Sequence, residues 1–233
     1  PPRSTLFPYT TLFRSLRFTG GPSKRVNSAN VLYPSSLPLA EKIAFVEAVY
    51  ANAELPPLFR VPEPFSTPQL EQSLSTAGYR PFDETYVLTR ELSLPEPMPD
   101  HLRVEAFSVD DWIPYKGEIS EAQPGPLALQ RKIINGIAPR KELIVFFAGN
   151  QPVACGMGVL EGDLLGFFSI YTHHDARCKG YARAVMSALT GWGLRSGAKL
   201  GYLQVEGFNQ PAIALYRQLG FELGYPYQYY KKD

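Results

Sequence analysis

Apolar residues recur at positions 39, 43, 46 and 50, and this 3.6-residue spacing predicts a helix from Leu37 to Tyr50. Leu58-Phe59-Arg60-Val61, bounded by prolines, reads as a short strand. Thr67-Pro68 supplies an N-cap and a proline at the first helical position, opening a helix that stops at Ala77-Gly78. Tyr79 to Arg90 then reads as a strand. His101 to Ser108 alternates Leu102, Val104 and Ala106, as a half-buried strand does. Helical segments follow near 109–118 and 126–138, then an apolar strand from Leu143 to Ala148 and a turn at Gly149-Asn150-Gln151-Pro152. Val153–Leu160 and Leu164–Thr172 form two strands joined by Glu161-Gly162-Asp163. A helix from about Gly180 to Ser196, closed by Gly197, precedes a strand at Leu200–Val205. A helix at Gln210–Leu219 and an aromatic strand at Phe221–Tyr230 complete the pattern. Strands and helices interleave throughout, so the fold class is α/β (α+β).

Proline divides the chain. Of 22 prolines, 15 precede residue 101, and Leu94-Pro95-Glu96-Pro97-Met98-Pro99-Asp100 can continue neither a helix nor a central strand. Residues 95–100 therefore read as a linker between a half at 16–94 and a half at 101–233. Leu74-Ser75-Thr76-Ala77-Gly78-Tyr79 parallels Tyr216-Arg217-Gln218-Leu219-Gly220-Phe221 at an offset of 142 positions, which suggests a tandem arrangement. The stretch Thr5–Ser15, TLFPYTTLFRS, is similar to the translation of a short-read sequencing adapter. Residues 1–15 are accordingly expected to be non-native, leaving a neighbouring sheet edge unpaired.

Composition narrows the function. The chain has 233 residues, 45% of them hydrophobic, with 23 basic and 22 acidic side chains. A net charge of +1 gives no support to a nucleic-acid partner. No uncharged apolar run reaches the ~18–20 residues of a bilayer span, so no membrane association is expected. Cys155 and Cys178 are too few for a disulfide framework, and three histidines make a Cys/His zinc site an unfavoured reading. These readings imply a soluble, cytoplasmic protein with no metal.

The most specific signal is Arg177-Cys178-Lys179-Gly180-Tyr181-Ala182, between the strand ending at Thr172 and the following helix. A helix N-terminus leaves backbone N–H groups unpaired and carries a partial positive charge, and a pyrophosphate satisfies both. Glycine at 180 removes a Cβ from the backbone's approach to phosphate. Arg177 and Lys179 add charge at the loop mouth. No Walker loop is present. Gly156-Met157-Gly158 is followed by its third glycine one position late and by a strand, so it reads as close packing within a hairpin rather than as a dinucleotide fingerprint.

This block resembles the pyrophosphate loop, (R/Q)-x-x-G-x-(G/A), of the GNAT superfamily of acyl-CoA-dependent N-acyltransferases. A second matching block is Asn209-Gln210-Pro211-Ala212-Ile213-Ala214-Leu215-Tyr216, followed by Leu219-Gly220-Phe221. The N-terminal half is similar to the degenerate first repeat of tandem GNAT proteins, through Lys24-Arg25-Val26-Asn27-Ser28, Leu58-Phe59-Arg60 and Ala77-Gly78-Tyr79. It has no R-x-x-G-x-(G/A) match and no expected cofactor. One departure is Cys178, at a position often occupied by glycine in the family.

The resemblance implies a GNAT-type mixed sheet with flanking helices and a truncated first half. It also implies an acyltransferase moving acetyl from acetyl-CoA to a primary amine of a small molecule or peptide. On that basis the strand at Phe168–Thr172 splays from Leu200–Val205, and Ile170, Tyr171 and Thr172 present backbone groups to pantetheine and the oxyanion. Arg177 to Ala182 hold pyrophosphate, Asn209 contacts the pantetheine arm, and Tyr216 protonates the departing thiolate. The competing readings are a core role for Tyr216 and an acyl-CoA-binding regulatory module without turnover. An aminoacyl-tRNA-dependent transferase would call for a basic tract that the chain lacks. Glu161 and Glu206 are unranked candidates for the base. Trp112 and Tyr115 read as packing. His173 and His174, adjacent on an extended segment, are expected to face opposite ways and so not to share one ion. No residue pattern sets the acceptor or the oligomeric state.

Overall fold

A computed structural model describes residues 15–18, 23–32, 37–95, 97–99 and 101–232. The fold is α+β, with a ten-stranded mixed sheet and six α-helices among the described residues. The adapter-like residues 1–14, and positions 96 and 100 of the proline-rich segment, lie outside them. The chain forms two compact units. The first comprises residues 1–86, 206–208 and 224–233, and the second residues 87–205 and 209–223.

In the first unit, β1 (Ser15–Leu16), β2 (Ala29–Asn30), β3 (Phe59–Pro62), β10 (Glu222–Lys231) and β4 (Arg80–Glu91) are hydrogen-bonded in that order. Ser15, expected to be non-native, pairs with Asn30 in β1–β2. Helices α1 (Leu39–Asn52) and α2 (Pro68–Thr76) present Ile43, Val46, Tyr50, Leu70 and Leu74 to a core with Phe59 and Tyr79. Thr67 caps α2 as expected, its Oγ1 accepting from Leu70 N at 3.2 Å.

The second unit takes the order β4, β9 (Leu200–Glu206), β8 (Leu164–Thr172), β7 (Gln151–Glu161), β6 (Arg140–Ala148), β5 (Leu102–Ala106). All contacts from β5 to β8 are antiparallel, and β8 and β9 are parallel. Helices α3 (Val109–Ser120), α4 (Pro124–Asn135), α5 (Tyr181–Arg195) and α6 (Gln210–Gln218) complete it. Residues Leu143–Phe147 and Pro152–Leu160 are buried without alternation, as strands covered on both faces must be. Gly156 and Gly158 do mark close packing, within the β7–β8 hairpin at Ile170 and Leu165 and also against α5. A Cβ on Gly156 would stand 2.4 Å from Val185 Cγ1, and one on Gly158 would stand 3.2 Å from Trp192.

The two Gly–aromatic segments share a detailed geometry. Thr67 and Asn209, 142 positions apart, each cap a nine-residue helix with proline in its first turn. Each helix ends with a glycine in the left-handed region, Gly78 at φ +88° and Gly220 at φ +80°. In each, the next aromatic N–H returns to the carbonyl five residues back, Tyr79 to Leu74 at 2.9 Å and Phe221 to Tyr216 at 3.0 Å.

Candidate functional site

Strand β8 changes partners along its length. Its parallel ladder with β9 runs from Leu164↔Leu200 to Phe167↔Leu203 and ends there. On the other side, β7 pairs Met157 with Phe168 and next Cys155 with Tyr171, so Ser169 and Ile170 oppose Gly156 alone. This is a β-bulge, and Ser169 at φ +50° occupies the left-handed region that non-glycine residues rarely adopt. The missing side chain at Gly156 makes room for it, since a Cβ there would lie 2.9 Å from Ile170 Cδ1. Ile170, Tyr171 and Thr172 therefore sit past the end of the β8–β9 ladder. The Thr172 Oγ1 is buried with no hydrogen-bond partner among the described residues.

Two residues after Thr172, a 3₁₀ turn over His174–Ala176 leads into the predicted phosphate loop. Arg177, Cys178, Lys179 and Gly180 are all exposed. Cys178 at φ +60° and Gly180 at φ +80° are both left-handed, which explains why glycine suits either position. Nothing lies within 4 Å of a Cβ built on Gly180. Gly180 is the N-cap of α5, and its O accepts from Ala184 N at 3.0 Å. The amides of Tyr181 and Ala182 precede the first internal bonds of the helix. The Tyr181 ring is buried, 6.3 Å from His101, so its part in an anion site is its backbone N–H. Lys179 Nζ donates to Asp175 O at 3.1 Å. An exposed cradle of backbone donors and two cations, with space beside Gly180 and an orphan hydroxyl at Thr172, fits a phosphorylated acyl carrier.

Tyr216 and Asn209 differ in burial. Asn209 is exposed and its Oδ1 caps α6, accepting from Ala212 N at 3.3 Å. Tyr216 is 8% exposed and edge-on to Phe221, with ring centroids 6.1 Å apart. Burial pushes its phenol up to about 12. Among the described residues its hydroxyl has no hydrogen-bond partner. Trp112 is fully buried and donates to Ile144 O at 3.1 Å, and Tyr115 packs edge-on to Phe147, so both are packing residues as expected. Glu206 falls in the first unit, where it pairs with Lys24 at 3.5 Å, and Glu161 is exposed at the end of β7. A cavity of about 300 Å³ lined by Arg90, Met186, Ser187, Gln218 and Leu219 contains none of the expected site residues.

Two features escaped the sequence reading. Lys116 is 2% exposed, with Nζ 5.0 Å from the Tyr171 ring centroid, and desolvation lowers its ammonium's pKa. Its signal was its place in the apolar stripe Val109, Trp112, Ile113, Lys116 of α3. The histidine expectation is corrected. His174 opens a turn instead of continuing the strand, so the His173 and His174 rings lie 4.5 Å apart, together with Glu121.

Strand β8 thus parts from β9 after Phe167, and α5 begins directly after the loop at Arg177–Gly180. Residues 15–230 match the family described as "Probable histone acetyltransferase Rv0428c C-terminal". The chain belongs to that family, within the GNAT N-acetyltransferase superfamily. It is 26% identical over 216 residues to "Uncharacterized N-acetyltransferase YobR" of Bacillus subtilis, covering 88% of this chain and 84% of that protein. In structure it is similar to a GCN5-related N-acetyltransferase from Kribbella flavida, with a TM-score of 0.62 at 16% identity over 83% of this chain and 75% of that one. It is also similar to a tandem GNAT protein from the clavulanic acid biosynthesis pathway, with a TM-score of 0.64 at 13% identity over 82% and 68% of the two chains. No helix among the described residues is long and apolar enough to cross a membrane.

Proposed function

We propose that the protein is an N-acetyltransferase that moves the acetyl group of acetyl-CoA to a primary amine by direct attack. The observation that carries this reading is the end of the β8–β9 ladder at Phe167↔Leu203, one turn ahead of the exposed Gly180-capped loop. In this account Arg177, Lys179 and the amides at the start of α5 hold the pyrophosphate. Backbone groups of Ile170 and Thr172 pair with the pantetheine amides and steady the oxyanion. The Asn209 amide nitrogen, left over from capping, reaches the pantetheine arm. The amine nitrogen attacks the thioester carbon and gives up a proton to water, the carbon–sulfur bond breaks, and the sulfur leaves as thiolate.

Tyr216 serves the sulfur as a hydrogen-bond donor. With the phenol at about 12, complete proton transfer to a thiolate of ordinary pKa, ~8.5, is uphill by roughly 5 kcal/mol. Burial thus keeps Tyr216 protonated and able to donate at any physiological pH. The shared cap geometry of α2 and α6 supports reading the first unit as a degenerate GNAT-like half, without a phosphate loop of its own.

The test is thiol release from acetyl-CoA in the presence of a panel of small-molecule and peptide amines. Amine-dependent release supports the enzyme. Saturable acetyl-CoA binding with no release under any amine supports a regulatory acyl-CoA-binding module instead.

A further inference from the structure

At the C-terminal end of α3, Glu121 stands in the left-handed region at φ +53° and turns its carboxylate toward the segment that follows β8. Glu121, His173 and His174 each offer one ligand atom, and the three atoms lie within 4.8 Å of one another. The backbone holds His173, whose N donates to Val153 O and whose O accepts from Ala176 N, each at 2.9 Å, and His174 O accepts from Arg177 N at 3.4 Å.

His174 is bracketed by carboxylates, with Nδ1 3.0 Å from Glu121 Oε1 and Nε2 3.0 Å from Asp175 Oδ1. A neutral imidazole carries one N–H and one lone pair. An imidazolium would donate to both carboxylates; a neutral ring that donates Nε2–H to Asp175 instead leaves its Nδ1 lone pair beside Glu121 Oε1, and a metal ion between these two atoms satisfies both. Asp175 then stands where a carboxylate orients a metal-bound histidine from behind. At zinc's tetrahedral angle two atoms bound at about 2.1 Å stand about 3.4 Å apart, so Nδ1 and Oε1, 3.0 Å apart, need part by only a few tenths of an ångström to share an ion.

We propose that Glu121, His173 and His174 form a binding site for a divalent transition metal ion of the zinc class, with Asp175 as the orienting carboxylate. Two imidazoles and one carboxylate suit zinc and its neighbours rather than calcium or magnesium. The two carboxylate charges offset those of the ion. Three protein ligands leave a fourth position to water. The His174 side chain is 49% exposed and that of Glu121 60%, so an ion enters without unfolding any element.

The tag-free chain, treated with EDTA and desalted, is titrated with zinc chloride by calorimetry. One ion per chain is expected. His173→Ala and Glu121→Gln each weaken binding at least tenfold, and Asp175→Asn weakens it about 10–100-fold. Cys178→Ser, which removes the exposed thiol, leaves the affinity unchanged. Thermal melts confirm that every variant folds. Absence of saturable binding overturns the proposal. So does parental affinity in a His173→Ala/His174→Ala double variant, or loss of binding in Cys178→Ser, since either places an adventitious ion elsewhere.

Discussion

Replacing Tyr216 with phenylalanine separates a chemical role from a packing role. The ring is 8% exposed and rests edge-on to Phe221, and phenylalanine preserves that contact. The hydroxyl has no partner among the described residues, so its loss strands no donor or acceptor, and stability should change by less than about 1 kcal/mol. In turnover the hydroxyl meets charge only as the carbon–sulfur bond breaks, so the loss belongs to kcat. A hydrogen bond to a charged atom contributes about 1.5–3 kcal/mol, which converts to a fall of roughly 10–150-fold in kcat. Full general-acid transfer would reach about 10²–10⁴-fold, but a phenol at about 12 places Tyr216 toward the smaller range. The assay is thiol release at saturating amine with acetyl-CoA titrated, and KM should be nearly unchanged. A kcat within threefold of the parent would refute the role and leave Tyr216 a core aromatic.

Gly156→Ala should lower Tm by several degrees, because its Cβ meets Val185 at 2.4 Å and overpacking costs about 1–3 kcal/mol. An unchanged melt would show that α5 does not seat on β7. Asn209→Ala should lose about 1 kcal/mol with the α6 cap and raise the KM for acetyl-CoA; denaturant unfolding and kinetics read the two effects separately. Lys116→Met should raise Tm at pH 7. The buried ammonium's lowered pKa means that protonation favours the unfolded chain, so the penalty holds below the folded pKa and fades as pH climbs toward 10.5. The gain should therefore shrink on the alkaline side, and a pH-independent gain would contradict it. Burial raises Tyr50, Tyr79, Tyr216 and Tyr229 above the ordinary 10.0. Their stabilisation is intact below pH 10 and is lost above it. Denaturation midpoints measured upward from pH 9 should start to fall near pH 10.

The long periodic segments were legible because burial imposes their period. The α1 stripe, the Thr67 cap and the continuous apolar run of β6 each matched the observed elements within a few residues. The start of α5 and its left-handed Gly180 were legible because the signal is local: a glycine, two cations and a helix start within six positions. The two-residue strands β1 and β2 are too short to show alternation. The bulge at Ser169–Ile170 depends on Gly156, which lies on another strand, and no reading along β8 reveals it. The Glu121–His173–His174 cluster joins residues more than 50 positions apart, and the turn at His174 reversed the side-chain alternation that a strand would impose. Lys116 lies on the apolar stripe of α3, but nothing along the chain distinguishes a buried lysine there from a solvated one.

Calorimetric titration of acetyl-CoA into the parent chain and Gly180→Glu tests the central claim most directly. The added side chain meets no atom within 4 Å in the protein. The left-handed backbone at φ +80° costs about 1–2 kcal/mol with a Cβ, so the fold should survive with a slightly lower Tm. The new carboxylate stands where the pyrophosphate should lie. The parent should bind one acetyl-CoA per chain, and the folded variant should show no detectable heat of binding. Equal affinity in the two proteins would contradict the assignment of residues 177–182 to the cofactor.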